Sequence, residues 1–426
     1  MITMEMIGKV RRMKLREQLS HSEIAKRTGL SRNTVKKWLK TSQWPWDWPD
    51  RLHGSQRALA SAALLIHASP EQLQHNLFAV TEPRVALKKC SAHGFAAYER
   101  PGELSGSALL CHPAALAPYA QAVVTQALQE GLCYLELRGS PHKYRPLDPT
   151  GFLRDLSTEL DRALAAAPPM QTGSVGVASS APLRIGFVWI VDRRQPQQVP
   201  TVVQAAVAAR AQLPDFLLGL DLAGDEGTHN PAALATGFAP AFAECLPLTI
   251  HAGEGEAAQN IWQAAYHLHA DRIGHGLTLA EHPQLAARFR NRGICLELCP
   301  SSNREVVGFF DPAYPATDGL PRYPLRRFIQ QGLPLTLCTD NPGISRTSLA
   351  DEYLAAARMS EGGLTLWETL ALTRQAFLHA FLPAADREAL LKRMDEQVFV
   401  LHSRGTVPSS GPSDIGVAQL RSASGA

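Results

Sequence analysis

The 426-residue sequence has no run of 18 or more apolar residues, which excludes a transmembrane helix from the expected architecture. Its opening residues lack the charged, apolar and small-residue order of a secretion signal, so the expectation is a cytoplasmic protein with no membrane partner. Cysteine is sparse and scattered: Cys90, Cys111, Cys133, Cys245, Cys295, Cys299 and Cys338, an odd number with no C-x-x-C pair. That pattern excludes a disulfide framework and fits reduced thiols. Cys295 and Cys299 stand four apart on an apolar, strand-like run, and read as core thiols rather than metal ligands. No internal repeat is present.

What the chain does have is length, a 45% hydrophobic content and an uneven charge. The length exceeds that of a usual single domain, so one large domain plus a small module is expected. The net charge of +3 divides into +8 over residues 1–40 and −5 over the remainder. A basic head on an acidic body suits nucleic acid as the partner of the head.

Within residues 1–40, Ser20-His-Ser-Glu23 has the form of a capping box and predicts a helix from about His21 to Thr28. Gly29 turns the chain, and Ser31 caps a second helix from Arg32 to Leu39. Val35, Trp38 and Leu39 form its apolar stripe, leaving Arg32, Asn33, Lys36 and Lys37 outward. The spacing is that of a helix-turn-helix, with Ile24, Ala25, Gly29, Leu30 and Val35 at the packing positions. Trp44-Pro-Trp-Asp-Trp-Pro49 cannot continue a helix, so residues 41–57 read as a linker. Residues 58–131 read as mostly helical, with an irregular stretch near Gly102-Glu-Leu-Ser-Gly106. The tail, 404–426, is rich in Ser, Gly and Pro and is expected to be disordered.

From Leu132 onward, apolar runs alternate with helical segments. The runs are Leu132 to Arg138, Arg184 to Val191, Phe216 to Gly224, Pro247 to Ala252, Arg272 to His275, Ile294 to Cys299 and Leu333 to Thr339. Polar residues at their C-terminal ends argue for an α/β, TIM-like (β/α) barrel over residues 58–403, with its active site at that face. Only seven strands are recognisable, and the first of a closed barrel is missing. His251, His275 between two glycines, and Asp340 each stand at the end of such a run, with Glu254 three residues beyond His251 in the loop. An imidazole at a strand end can ligate a metal, and a nearby carboxylate can move a proton. Taken singly, each has an ordinary reading, such as Asp340 capping the next helix. Three such residues at the ends of three strands are harder to explain as caps and turns.

These residues lie in six motifs: Glu136-Leu-Arg-Gly-Ser-Pro-His142, Gly219-Leu-Asp-Leu-Ala-Gly-Asp-Glu226, His251-Ala-Gly-Glu254, Asp271-Arg-Ile-Gly-His-Gly276, Leu298-Cys-Pro-Ser-Ser-Asn303 and Thr339-Asp-Asn-Pro342. Through them the chain from about Pro101 to Met394 resembles the adenosine deaminase family of the amidohydrolase superfamily, which are zinc-dependent TIM-like barrels. The resemblance implies that His251 and Asp340 are zinc ligands, that Glu254 donates a proton to a purine ring, and that His275 orients the attacking hydroxide. It also implies that Gly224 offers its backbone to the purine. The reaction implied is hydrolytic deamination of a purine nucleoside or nucleotide, a step of purine metabolism, with zinc lowering the pKa of its water. Two aspartates usually stand together at the last strand of the family; here the second is Asn341, a substrate-binding position. An amide donates a hydrogen bond to a purine nitrogen but carries no proton, so the substrate is expected to differ from plain adenosine.

The family's first strand supplies two more zinc ligands from a His-x-His, where a period of two puts both imidazoles on one face. Upstream of Leu132 stand His21, His53, His67, His75, His93 and His112, and no two are separated by one residue. Leu64-Leu-Ile-His67-Ala-Ser could be a degenerate first strand. His267-Leu-His269 has the spacing but lies in a helical stretch, where i and i+2 diverge. Scaling ~10–16 kcal/mol for a full site to two ligands leaves roughly 5–8 kcal/mol. That is a dissociation constant of about 10⁻⁴ to 10⁻⁶ M, so zinc is expected to be weakly held or absent.

Residues 1–40 resemble the N-terminal helix-turn-helix of IstA-type insertion-element transposases, through Met6-Ile-Gly-Lys-Val-Arg-Arg and Ile24-Ala-Lys-Arg-Thr-Gly-Leu-Ser-Arg-Asn-Thr-Val-Lys-Lys-Trp-Leu39. The resemblance implies DNA as a partner, with Arg32, Asn33 and Lys36 toward base edges and Lys37 and Lys40 on phosphate. The expectation is a purine deaminase impaired by the missing His-x-His. The alternatives are a DNA-binding protein with a catalytically inert barrel, or a fusion product of mobile-element insertion.

Overall fold

The computed structural model describes residues 10, 13, 19–40, 52–69, 73, 84–167 and 183–403, with only the backbone for 37–40. His75, the expected disordered tail and most of the expected Trp/Pro linker lie outside the described residues, as do the side chains of Lys37 and Lys40.

The alternating pattern folds as expected. Seven parallel strands form one sheet in sequential order: β1 (Tyr134–Gly139), β2 (Arg184–Asp192), β3 (Leu217–Ala223), β4 (Leu248–Ala252), β5 (Arg272–His275), β6 (Cys295–Leu298) and β7 (Leu335–Leu337). Strand, helix, parallel strand is the only economical connection for such apolar runs, and it curls the sheet into an open TIM-like barrel. The core between sheet and outer helices is aliphatic, with Leu220, Ile250, Ile273 and Leu296 wholly buried.

The sheet does not close among the described residues: β1 and β7 are its two edges. Parallel strands are normally buried on both faces. Strand β3 is buried along its whole length, whereas β1 is only half-buried from Tyr134 to Arg138. The proposed degenerate strand at Leu64-Leu-Ile-His67 does not fill the gap. It is the end of a helix, Gly54–His67, that also takes the last residues of the expected linker. Ala and Leu dominate that helix and favour it over a strand, and Ala60 and Leu64 turn toward Leu104.

Inside the barrel the inward positions are charged. Arg138 on β1 pairs with Asp221 on β3 at 3.0 Å and with Glu297 on β6 at 2.5 Å. Arg272 on β5 pairs with Glu136 at 2.6 Å and with Glu297 at 2.9 Å, and lies over the Phe381 ring at 3.5 Å. Thr249 donates to the other Glu297 oxygen at 2.7 Å. Each buried carboxylate thus has a cation and at least one further donor, the condition for tolerating charge at this depth.

The segment from Arg84 to Ser107 lies across the strand ends. Here the expected irregular stretch is helical: the helix Ala96–Gly102 runs into a π-helical turn, Glu103–Ser107. The Ser105 hydroxyl bonds back to the carbonyl of Pro101 at 2.5 Å, helping the wider turn to form.

In the N-terminal segment both expected helices are present, but the capping box forms only by half, since the Glu23 carboxylate turns to Arg27 instead of back to Ser20. Helices α1 (His21–Thr28) and α2 (Arg32–Lys40) meet across Gly29, whose φ of 71° is the left-handed value a glycine adopts freely. The Ser20 hydroxyl accepts from the Glu23 N–H at 3.2 Å, while the Glu23 carboxylate pairs with Arg27 at 3.2 Å. Ser31 accepts from the Thr34 N–H at 3.0 Å. Val10, Met13, Ile24 and Val35 bury one small core. No helix among the described residues is long and apolar enough to cross a membrane.

Candidate active site

The candidate site is assembled at the C-terminal ends of β4 to β7. His251 lies on β4 and its Nδ1 is 2.9 Å from Asp221 on β3. An ionised carboxylate only accepts, so the bond assigns the proton to Nδ1 and turns Nε2 toward the mouth. Burial opposes charge on His251, but the adjacent Asp221 outweighs it and raises the imidazole pKa. Gly274 on β5 makes room for this ring: a Cβ there would stand 3.2 Å from His251 Nδ1. Its missing side chain therefore serves the packing of His251.

His275 ends β5, its ring 5.1 Å from that of His251 between centroids. Asn303, in the helix after β6, accepts at Oδ1 from the Tyr323 hydroxyl at 2.8 Å. Its amide nitrogen then faces His275 Nδ1 at 2.9 Å and Glu254 Oε1 at 3.4 Å. With Asn303 donating, His275 Nδ1 accepts and a neutral ring carries its proton on Nε2. Glu254 lies 3.7 Å from His275, and burial pushes its pKa up against the pull of that ring. A neutral Glu254 is a proton donor.

Asp340 follows β7. Its Oδ2 accepts from Ser302 at 2.7 Å and from the Tyr98 hydroxyl at 3.1 Å, and its Oδ1 from Asn341 at 2.8 Å. Burial and the Asp340 charge raise the Tyr98 pKa, which keeps the phenol a donor. Both His275 (φ 64°) and Asp340 (φ 53°) adopt the left-handed backbone. Such strain in residues other than glycine costs on the order of 1–3 kcal/mol and clusters at functional sites.

Gly224 stands elsewhere on the rim. Its φ is 96°, and a Cβ would come within 2.7 Å of Asp192 Oδ1. Asp192 is clamped by Lys143 and Arg194, both at 2.7 Å, and Arg194 reaches Glu99 on the overlying helix at 2.7 Å. Burial raises the Glu99 carboxyl to about 7, against the opposing pull of Arg194.

The structure therefore brings His251, Glu254 and His275 together, joins Asp340 to Asn341, and leaves Gly224 beside Asp192 and Arg194. On α2, Arg32, Asn33 and Lys36 are exposed. Sequence reasoning missed Asp221, although a carboxylate in the otherwise apolar run Leu217–Ala223 was a visible signal. It also missed Tyr98, which no local pattern marks.

The sequence model of the family described as adenosine deaminase matches residues 84–397. An adenosine deaminase from Enterococcus faecalis is 31% identical over 282 residues, 66% of this chain and 76% of that one. An adenine deaminase from Sinorhizobium medicae is 36% identical over 190 residues, 45% of this chain and 56% of that one. Among solved structures, an amidohydrolase from Burkholderia ambifaria with bound zinc shares the fold, with a TM-score of 0.58 at 20% identity, covering 78% of this chain and 89% of that one. The chain belongs to the adenosine deaminase family, within the amidohydrolase fold.

Zinc does not fit the donors that the described residues present. A catalytic zinc takes three protein ligands and keeps one position open. Among the described residues no group of three His, Cys, Asp or Glu side chains could hold a metal ion. Asp340 already accepts three hydrogen bonds. The sequence's one His-x-His, His267-Leu-His269, sits before β5, at the opposite end of that strand from His275, with His267 against Trp262 and His269 against Phe242.

Proposed function

We propose that the barrel engages a purine nucleoside or nucleotide at its mouth and that hydrolytic deamination, the reaction named for its relatives, is impaired in this chain. The observation that carries this reading is the Glu254–Asn303–His275 network beside His251 and Asp340, together with a donor set that, among the described residues, is too small for zinc. In this reading Glu254 protonates a ring nitrogen and His275 presents its Nε2–H to the attacking water. Gly224 and Asn341 bind the purine edge. His251 and Asp340 are the two remnants of the metal site. The adenosine and adenine deaminase relatives support a 6-aminopurine as ligand.

Calorimetric titration with inosine and adenosine, alongside ammonia release, tests the reading. The expected result is nucleoside binding that Glu254→Gln weakens, with ammonia release far below that of the Enterococcus relative assayed in parallel. Absence of binding would remove the purine assignment, and full turnover would remove the impairment.

The domain assignment belongs to the same proposal: residues 1–40 a DNA-binding module, 41–57 a linker, 58–403 the barrel and 404–426 a tail. The exposed Arg32, Asn33 and Lys36 favour the second reading, a DNA-binding protein whose barrel is inert. Purine binding separates the two.

A further inference from the structure

We propose that Cys299 and Cys338 form a redox-active dithiol at the floor of the barrel mouth, which a small-molecule disulfide converts to a Cys299–Cys338 disulfide. The two residues directly follow β6 and β7, side by side. Leu298 and Leu337 are partners in the parallel register, and the Cys338 N–H donates to the Leu298 carbonyl at 2.9 Å, so the next pair along is Cys299 with Cys338. Adjacent strands lie about 4.8 Å apart, inside the ~4.4–6.8 Å range of Cα separations that a disulfide spans. Cys299 stands two residues on from Glu297 and Cys338 two on from Thr336, so strand alternation continued by one residue sets both on the inward face. The Cys299 thiol rests against the Glu297 carbonyl at 3.7 Å.

Access is unequal: Cys299 is buried, with 5% of its surface exposed, whereas Cys338 is half-buried. Cys338 therefore reacts first. Its thiolate attacks one sulfur of R–S–S–R and expels R–S⁻, which takes up a proton to become R–SH. Burial holds Cys299 as a thiol, so its proton passes to the departing R–S⁻ as its sulfur attacks the Cys338 sulfur of the mixed disulfide, and the second R–SH leaves. Two electrons and two protons pass from the thiols to the oxidant, giving two R–SH. The new bond ties together the strand ends that carry Ser302 and Asp340. The other five cysteines include no second pair adjacent in the sheet register.

The full-length chain, reduced and desalted, is incubated with oxidised glutathione and mapped by mass spectrometry after alkylation. The expected result is one peptide pair linked through Cys299 and Cys338, while the exposed Cys90 and Cys245 carry glutathione adducts and no link. The link should reopen on adding dithiothreitol. Cys299→Ser should stop at a glutathione adduct on Cys338, and Cys338→Ser should leave Cys299 reduced. Wild-type chain that accumulates the Cys338 adduct without the link, or keeps both cysteines alkylatable while other thiols oxidise, overturns the proposal. Because Cys299 is buried and its variant can misfold, the wild-type map alone decides the outcome.

Discussion

Arg138 and Glu297 meet 2.5 Å apart across the barrel, joining β1 to β6, two strands that share no backbone hydrogen bond. The same guanidinium holds Asp221, which in turn orients His251. One cation thus serves both the closure of an open sheet and the posture of a site residue.

Arg138→Met should leave Asp221 short of its cation and Glu297 dependent on Arg272 alone. Breaking a buried pair from one side costs about 3–5 kcal/mol. The urea midpoint should fall accordingly at an unchanged slope. A loss below about 1 kcal/mol would show that water reaches these carboxylates and that the pairs are not structural.

Glu99 should make stability depend on pH near neutrality. Burial raises its carboxyl from 4.5 to about 7 in the folded chain, Arg194 opposing. Its contribution is complete below about 4.5 and is lost as pH rises through about 7. At about 1.4 kcal/mol per unit this is a fall of a few kcal/mol across that interval. Glu99→Gln should flatten the profile measured by urea denaturation at about pH 5 and pH 8; an unaltered slope would refute the assignment.

Zinc should stabilise the chain little. At about 1 μM free zinc, a site with a dissociation constant of 10⁻⁴ to 10⁻⁶ M adds at most about 0.4 kcal/mol, whereas a nanomolar site adds about 4 kcal/mol. Melting curves with zinc and with chelator should therefore nearly coincide. A rise of several degrees that His251→Ala abolishes would mean that ligands outside the described residues complete the site.

Residues 1–40 should bind DNA weakly and salt-sensitively, at ~10⁻⁴ to 10⁻⁶ M for a lone module. The pair Lys36→Ala and Lys37→Ala should abolish the anisotropy change on labelled duplex DNA at low salt. Equal binding by that variant would separate the basic head from DNA contact.

Much of this was legible in the sequence because parallel strands must be apolar and their C-terminal ends need not be. A polar residue after such a run, as at His251, His275 or Asp340, marks its own position. What the sequence hid depends on distance along the chain. Tyr98 reaches Asp340 from 242 residues away, and Arg138 reaches Glu297 from 159. No period or cap encodes those meetings. The part Gly274 plays was hidden for the same reason, since the ring it accommodates belongs to the neighbouring strand.

The half-buried β1 also bears on how the barrel opens. In a parallel strand alternate amides point away from the single neighbour, and on an edge these have no partner strand to slow their exchange with solvent. Strand β1 would be the natural place for the sheet to fray. Yet lifting it away would draw Arg138 from Asp221 and Glu297, and would take Glu136 from Arg272. The edge is wet on its outer side and anchored on its inner side, so β1 should release together with β3, β5 and β6 as one cooperative unit rather than peel off alone.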